Sequence, residues 1–133
     1  MSQENVELVR GLYSAFSRRD RAAIRQILHS EVVADMSRSI GPEKGVYEGI
    51  EALGRLLDAY WDAMEIFEIV PVELIDTGNL VVVGTQGKGV GRASRVEVNA
   101  KGGHLLGVQD GKIANWTVFQ SKAEALEAAG LSE

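Results

Sequence analysis

The stretch HLLGVQDGKIANW, residues 104–116, decides how this chain is read. Two apolar runs flank Asp110-Gly111, a pair that tolerates the positive φ of a tight turn, so the segment predicts a β-hairpin. It also carries one imidazole, His104, into an apolar, sheet-forming context. A lone histidine there is either a core residue with its hydrogen bonds satisfied or the polar end of a ligand pocket.

Working back along the first strand, Val96, Val98, Ala100, Gly102, His104, Leu106 and Val108 are apolar or small, whereas Glu97, Asn99 and Lys101 alternate with them. Period-two alternation places His104 on the buried face. The alternative is a bulge at Gly102-Gly103, which would shift the register and turn the ring outward. An inward imidazole without a partner would cost about 1–3 kcal/mol. Ala100, Gly102 and Gly107 remove volume beside it, which implies a cavity unless Trp116, Trp61 or Tyr60 fills the space.

The remaining elements follow from spacing. Leu8, Val9, Leu12, Tyr13 and Phe16 mark an amphipathic helix over residues 4–17. Asp20 is placed to cap a second helix carrying Ile24, Ile27 and Leu28, with His29 at its end. Residues 37–49, with three glycines and a proline, predict an irregular loop. A third helix over about residues 50–64 presents Leu53, Leu56, Leu57, Tyr60, Trp61 and Met64. The period then becomes extended: IFEIVPVELI ends at Gly78-Asn79, with Pro71 requiring an edge or a bulge. LVVVGTQ, apolar on both faces, predicts a central strand covered on both sides, and GKGVGRAS a glycine-rich connection. Ser121 and Glu124 form a capping-box pattern for a short last helix that stops at Gly130. The sum is one α+β domain over residues 1–133, with three N-terminal helices, a curved antiparallel sheet of about four long strands and a short C-terminal helix.

Composition narrows the function. The 133 residues include 14 Lys and Arg against 19 Asp and Glu, a net charge of −5, which argues against a nucleic-acid partner. The basic cluster Arg18, Arg19, Arg21 and Arg25 reads as a solvated helix end. Without cysteine there is neither a disulfide nor a thiolate metal site. No apolar run approaches the ~20 residues of a membrane helix, and no signal-peptide pattern is present; a cytoplasmic protein without membrane association is expected. Gly87, Gly89 and Gly91 join strands rather than open a helix, and Lys88 precedes glycine, so neither nucleotide-binding loop fits. Two separated histidines predict no metal site, and nothing calls for a cofactor.

The segments LYSAFSRRD, ILHSEV, GVYEG and HLLGVQDGKIANW, followed by EALEAAGLSE, resemble SnoaL-like members of the nuclear transport factor 2-like superfamily. The resemblance spans nearly the whole chain. It implies a cone in which a curved sheet wraps around helices and leaves an apolar pocket, and relatives that include ketosteroid isomerases, polyketide cyclases and limonene epoxide hydrolases. It also implies a homodimer formed through the outer face of the sheet. The isomerases' base position falls on Met36, with Asp35 beside it. Their oxyanion tyrosine falls on Leu12, with Tyr13 displaced by one, and their second oxyanion donor falls on His104. Gln120 and Ser121 stand where many relatives have an aspartate.

The expected ligand is therefore an apolar, ring-containing small molecule. Phe16, Met36, Leu57, Trp61, Leu106, Trp116, Val118 and Gln120 are its expected contacts. His104 is the expected acid, base or hydrogen-bond donor of an isomerase- or cyclase-type proton transfer, with Tyr13 or Asp35 assisting. The alternative is a non-catalytic binding or dimerisation module that has lost the family's acids.

Overall fold

The computed structural model describes residues 2–39 and 43–131; part of the loop expected over 37–49 lies outside them. The chain opens with helix α1 (Ser2–Arg18), whose Val9, Leu12, Tyr13 and Phe16 are all buried, as their spacing requires. Arg19, in the left-handed region at φ 58°, ends it. Helix α2 (Arg21–Ile27) starts at Asp20, whose carboxylate accepts from the Ala23 amide at 3.0 Å. That bond, ahead of the one from Arg18, holds the Asp20 carboxyl below its ordinary range.

The chain then becomes extended sooner than the helical pattern predicts. Leu28–Asp35 is strand β1, so Leu28 and His29 belong to a strand and not to the helix. His29 Nδ1 accepts from the Glu31 amide at 3.1 Å rather than satisfying helix carbonyls. The polar HSE stretch hides the alternation, which surfaces only at buried Val32 and Ala34. Strand β2 (Val46–Glu48) lies inside the expected loop and pairs antiparallel with β1. Helix α3 (Ile50–Ala63) follows and buries Leu53, Leu56, Leu57 and Trp61. Its C-terminal carbonyls are held by two arginines. Arg19 donates to the Trp61, Met64 and Glu65 carbonyls at 3.0, 2.9 and 3.1 Å. Arg92 donates to those of Trp61, Asp62 and Met64. The other arginines of the N-terminal cluster pair with Asp20, Asp58 and Glu51.

Four long strands complete the sheet: β3 (Met64–Asp76), β4 (Leu80–Gly91), β5 (Glu97–Gln109) and β6 (Lys112–Phe119). The strand order is β2-β1-β6-β5-β4-β3. The sheet is curved, six-stranded, unclosed and mixed, because β1 runs parallel to β6. The expectation of about four strands, all antiparallel, is corrected by β1 and β2. Pro71 sits on edge strand β3 at a register shift, as a residue without an N–H must. The glycines expected in a connection, Gly87, Gly89 and Gly91, lie within β4 itself.

Asp110 and Gly111 make the turn between β5 and β6 at φ 55° and 72°. Val81–Thr85 of β4 are all buried, with Val81 and Val83 in the main core beneath α1 and α3. Val82 packs on the other face with Phe119, Ala125 and Leu126. The last two belong to helix α4 (Lys122–Ala128), capped by Ser121 Oγ on the Glu124 amide at 3.2 Å. No helix among the described residues is long and apolar enough to cross a membrane.

Candidate functional site

The position of His104 is fixed by backbone pairing. β4 and β5 pair without interruption through Gly84↔Gly103 and Thr85↔Gly102 to Val83↔His104. No bulge interrupts Gly102-Gly103, and His104 faces inward, 5% exposed. Those glycines have another use. A Cβ on Gly103 would lie 2.4 Å from the Ser121 carbonyl oxygen, because the start of α4 crosses the strand there. The bulge falls later, between Gly107 and Val108 in the β5–β6 ladder.

Beside His104 lies a cavity of about 560 Å³, lined mainly by apolar side chains, half-exposed Val98 among them. Such a volume is within the range of small-molecule sites. Phe16 of α1, Leu57 of α3, Met36 just after β1, and Trp116 and Val118 of β6 contribute walls, and Gln120 reaches the rim. Leu106 and Trp61, expected as walls, do not line it. Leu106 is wholly buried in the core, while Trp61 packs against Phe16 at 6.0 Å between ring centroids. On the sheet side, Gly87 and Gly89 of β4 lie opposite Ala100 and Val98 of β5. Small residues at period two on both strands open the cavity. That pattern is present in the sequence, where the glycines suggest a connection instead. Tyr60, Phe67 and Thr85 also line the site, beyond the contacts expected from sequence.

Three rings meet at the floor. The Tyr13 hydroxyl lies 2.6 Å from His104 Nδ1, and Trp116 Nε1 lies 3.1 Å from the same nitrogen. An indole N–H can only donate, so Nδ1 is the unprotonated nitrogen and accepts from both neighbours. The proton of the neutral ring is therefore on Nε2, which has no hydrogen-bond partner among the described residues, and His104 lines the cavity. Burial lowers the His104 pKa to about 4, and the two donors on Nδ1 oppose protonation in the same direction. Burial likewise raises the Tyr13 pKa well above its ordinary value, so its hydroxyl keeps its proton. At neutral pH the floor presents an uncharged N–H donor rather than a base.

Asp35 is not brought to this cluster. Its carboxylate accepts from the Ser37 hydroxyl and amide at 2.6 and 2.9 Å and pairs with Arg38 at 3.4 Å. These bonds, the Ser37 hydroxyl first, lower its pKa. Alternation along β1 turns it away while Met36 faces the cavity. Tyr13 does join His104, although one position removed from the helix site occupied in the isomerases. No group of three or more potential metal-ligating side chains occurs among the described residues.

The fold and this site place the chain in a known class. Residues 9–116 match the model of the SnoaL-like domain, and the chain belongs to that family. Its fold is shared with an NTF2-like protein of unknown function from Burkholderia pseudomallei (20% identity, 93% of this chain and 95% of that one, TM-score 0.79). It is also shared with a putative SnoaL-like polyketide cyclase from Jannaschia (20% identity, 89% and 85%, TM-score 0.77). A third is a protein with a ketosteroid isomerase-like fold from Catenulispora acidiphila, in complex with trimethylamine (14% identity, 94% and 93%, TM-score 0.76). No curated protein matches the sequence.

Proposed function

We propose that this SnoaL-like protein binds an apolar, ring-containing small molecule with a carbonyl oxygen, which accepts a hydrogen bond from His104 Nε2–H. The observation that carries this reading is an apolar cavity of about 560 Å³ whose floor holds that one N–H without a partner among the described residues. Leaving such a donor unmet costs about 1–3 kcal/mol, which a ligand oxygen recovers while its rings contact Phe16, Leu57 and Val118. The Catenulispora relative, in complex with a small organic molecule, supports small-molecule binding in this fold.

In an isomerase- or cyclase-type reaction without cofactor, His104 acts as the electrophile. Its N–H, with Tyr13 and Trp116 behind it, stabilises charge developing on the carbonyl oxygen. A ring with a pKa of about 4 does not take up a proton from carbon at neutral pH. The second reading is a non-catalytic binding module, favoured by Met36 at the base position and by Asp35 being turned away. A homodimer, implied by the family, belongs to the proposal too; light scattering that returns a 14.4 kDa particle removes it.

The test is a thermal-shift panel of steroid ketones, aromatic polyketides and terpenoid ketones beside matched hydrocarbons. A ketone at ~100 times its Kd adds about 2.7 kcal/mol of stability, and His104→Phe should erase its advantage over the hydrocarbon. Equal shifts for ketone and hydrocarbon would remove His104 as the anchor. Turnover of a bound ketone would then separate enzyme from binding module.

A further inference from the structure

The cavity has a second polar pole. Across the sheet from His104, Glu43, Ser39 and Tyr60 line its other end. β5 is followed by β6, by β1 and then by the segment at Gly45, which bonds to Met36. Three strand spacings, roughly 14 Å, separate the two backbones. The Glu43 segment is held in place: the Ser39 hydroxyl donates to its carboxylate, and the Tyr47 hydroxyl donates to its carbonyl at 2.7 Å. Among the described residues the Tyr60 hydroxyl meets only the Met36 sulfur, at 3.9 Å, a weak acceptor that leaves it able to bond a ligand. The Tyr60 ring packs edge-on to Phe67 at 5.1 Å, and Phe67 to Phe16 at 5.3 Å. An aromatic wall therefore runs inward from the carboxylate.

The charge facing this space has one sign. Lys88 and Lys101 border the cavity, but their register turns their side chains away from it. Lys88 pairs with Asn99 and Lys101 with Gln86, while the inward pairs of the same ladder are Gly87↔Ala100 and Thr85↔Gly102. Alternation sends both ammonium groups to the outer face, where Gln86 and Asn99 bond to each other. His104 is uncharged at neutral pH. Arg38 lies outside the lining, paired with Asp35 and stacked 4.7 Å over Phe119. The nearby Glu43 charge adds to burial in raising the Tyr60 pKa. Among the described residues, Glu43 supplies the ionised side chain directed at the ligand space.

We propose that the cavity selects ring ketones carrying a protonated amine, with the carbonyl on His104 Nε2–H and the ammonium between the Glu43 carboxylate and the Tyr60 ring. This rests on the ligand-pocket reading above. A cation there gains both the Coulomb attraction and the aromatic face, whereas a carboxylate meets repulsion and, among the described residues, no inward cation.

The experiment is titration calorimetry at low salt and neutral pH with 4-(aminomethyl)benzophenone, 4-methylbenzophenone and 4-benzoylbenzoate. They share one ketone and ring body and differ in charge. The ammonium probe should bind about five- to tenfold tighter than the neutral one, and the carboxylate weaker than both. Glu43→Gln should bring the ammonium-to-neutral ratio to about one. In the unaltered protein, raising ionic strength from ~0.01 to ~1 M shortens the Debye length from about 30 to about 3 Å and should shrink the same ratio. Neutral binding equal to or tighter than ammonium binding overturns the charge selection and leaves the pocket reading standing. A ratio that survives both Glu43→Gln and salt also overturns it. Binding by none of the three overturns the ring-ketone pocket, and this proposal with it.

Discussion

Acidification from about pH 7 to pH 5 should destabilise this protein through His104, and the substitution His104→Gln should escape that part of the loss. The ring is 5% exposed, and its pKa falls from about 6.5 in the unfolded chain to about 4 in the fold. A depressed base is neutral when folded and protonated when unfolded between those two values. The unfolded state therefore binds more protons there, and stability is lost as pH falls through that window. The full gap corresponds to about 3 kcal/mol, of which about 2 kcal/mol is lost between pH 7 and pH 5. For a chain of this length that is roughly 6–10 °C in Tm. Gln can accept from Tyr13 and Trp116 and does not titrate, so subtracting its unfolding curve removes the contributions the two proteins share. The assay is urea unfolding at pH steps for both proteins, with His104 followed by ring 1H–15N correlation. Parallel stability curves, or an imidazole titrating near 6.5, would refute the locked-tautomer argument. So would a neutral ring found protonated on Nδ1. In Trp116→Phe, which lacks the obligate donor, the apparent pKa should move back up.

Two further sets of substitutions test the scaffold. Gly103→Ala places a methyl 2.4 Å from the Ser121 oxygen, against backbone that cannot step aside, and should lose about 3 kcal/mol in denaturant melts. Gly102→Ala meets only Thr85 Oγ1 at 3.2 Å and the Phe119 carbonyl at 3.5 Å; it should stay within about 1 kcal/mol of wild type while weakening ligand binding by narrowing the cavity. Arg19→Gly keeps the left-handed backbone but removes the guanidinium from the carbonyls of Trp61, Met64 and Glu65 at the α3–β3 junction, a loss of about 2 kcal/mol. Arg19→Ala should lose about 1 kcal/mol more, because alanine resists that φ. Equal melting of the two Arg19 variants would show that backbone strain plays no part.

The local chemistry of the chain was legible wherever a short pattern settles the conformation. The Asp110-Gly111 turn, the Asp20 and Ser121 caps, the inward phase of His104 and the doubly covered LVVVGT strand all follow from neighbours within a few residues. β1 and β2 were not legible. HSEVVAD carries little alternation, and its strand exists because β6 pairs with it in parallel from more than eighty positions away. That partner cannot be read locally. The same limit applied at the site. Sequence placed His104 inside, but whether Nδ1 or Nε2 carries its proton depends on Tyr13 of α1 and Trp116 of β6 converging on one nitrogen. The glycines at 102 and 103 left a bulge open as the alternative, because the backbone of α4, which forbids a side chain at 103, comes from a distant segment. Residue identity and spacing determined which groups enter the core. Only the packing of α1, β5, β6 and α4 decided which of them meet, and hence that the imidazole is a donor.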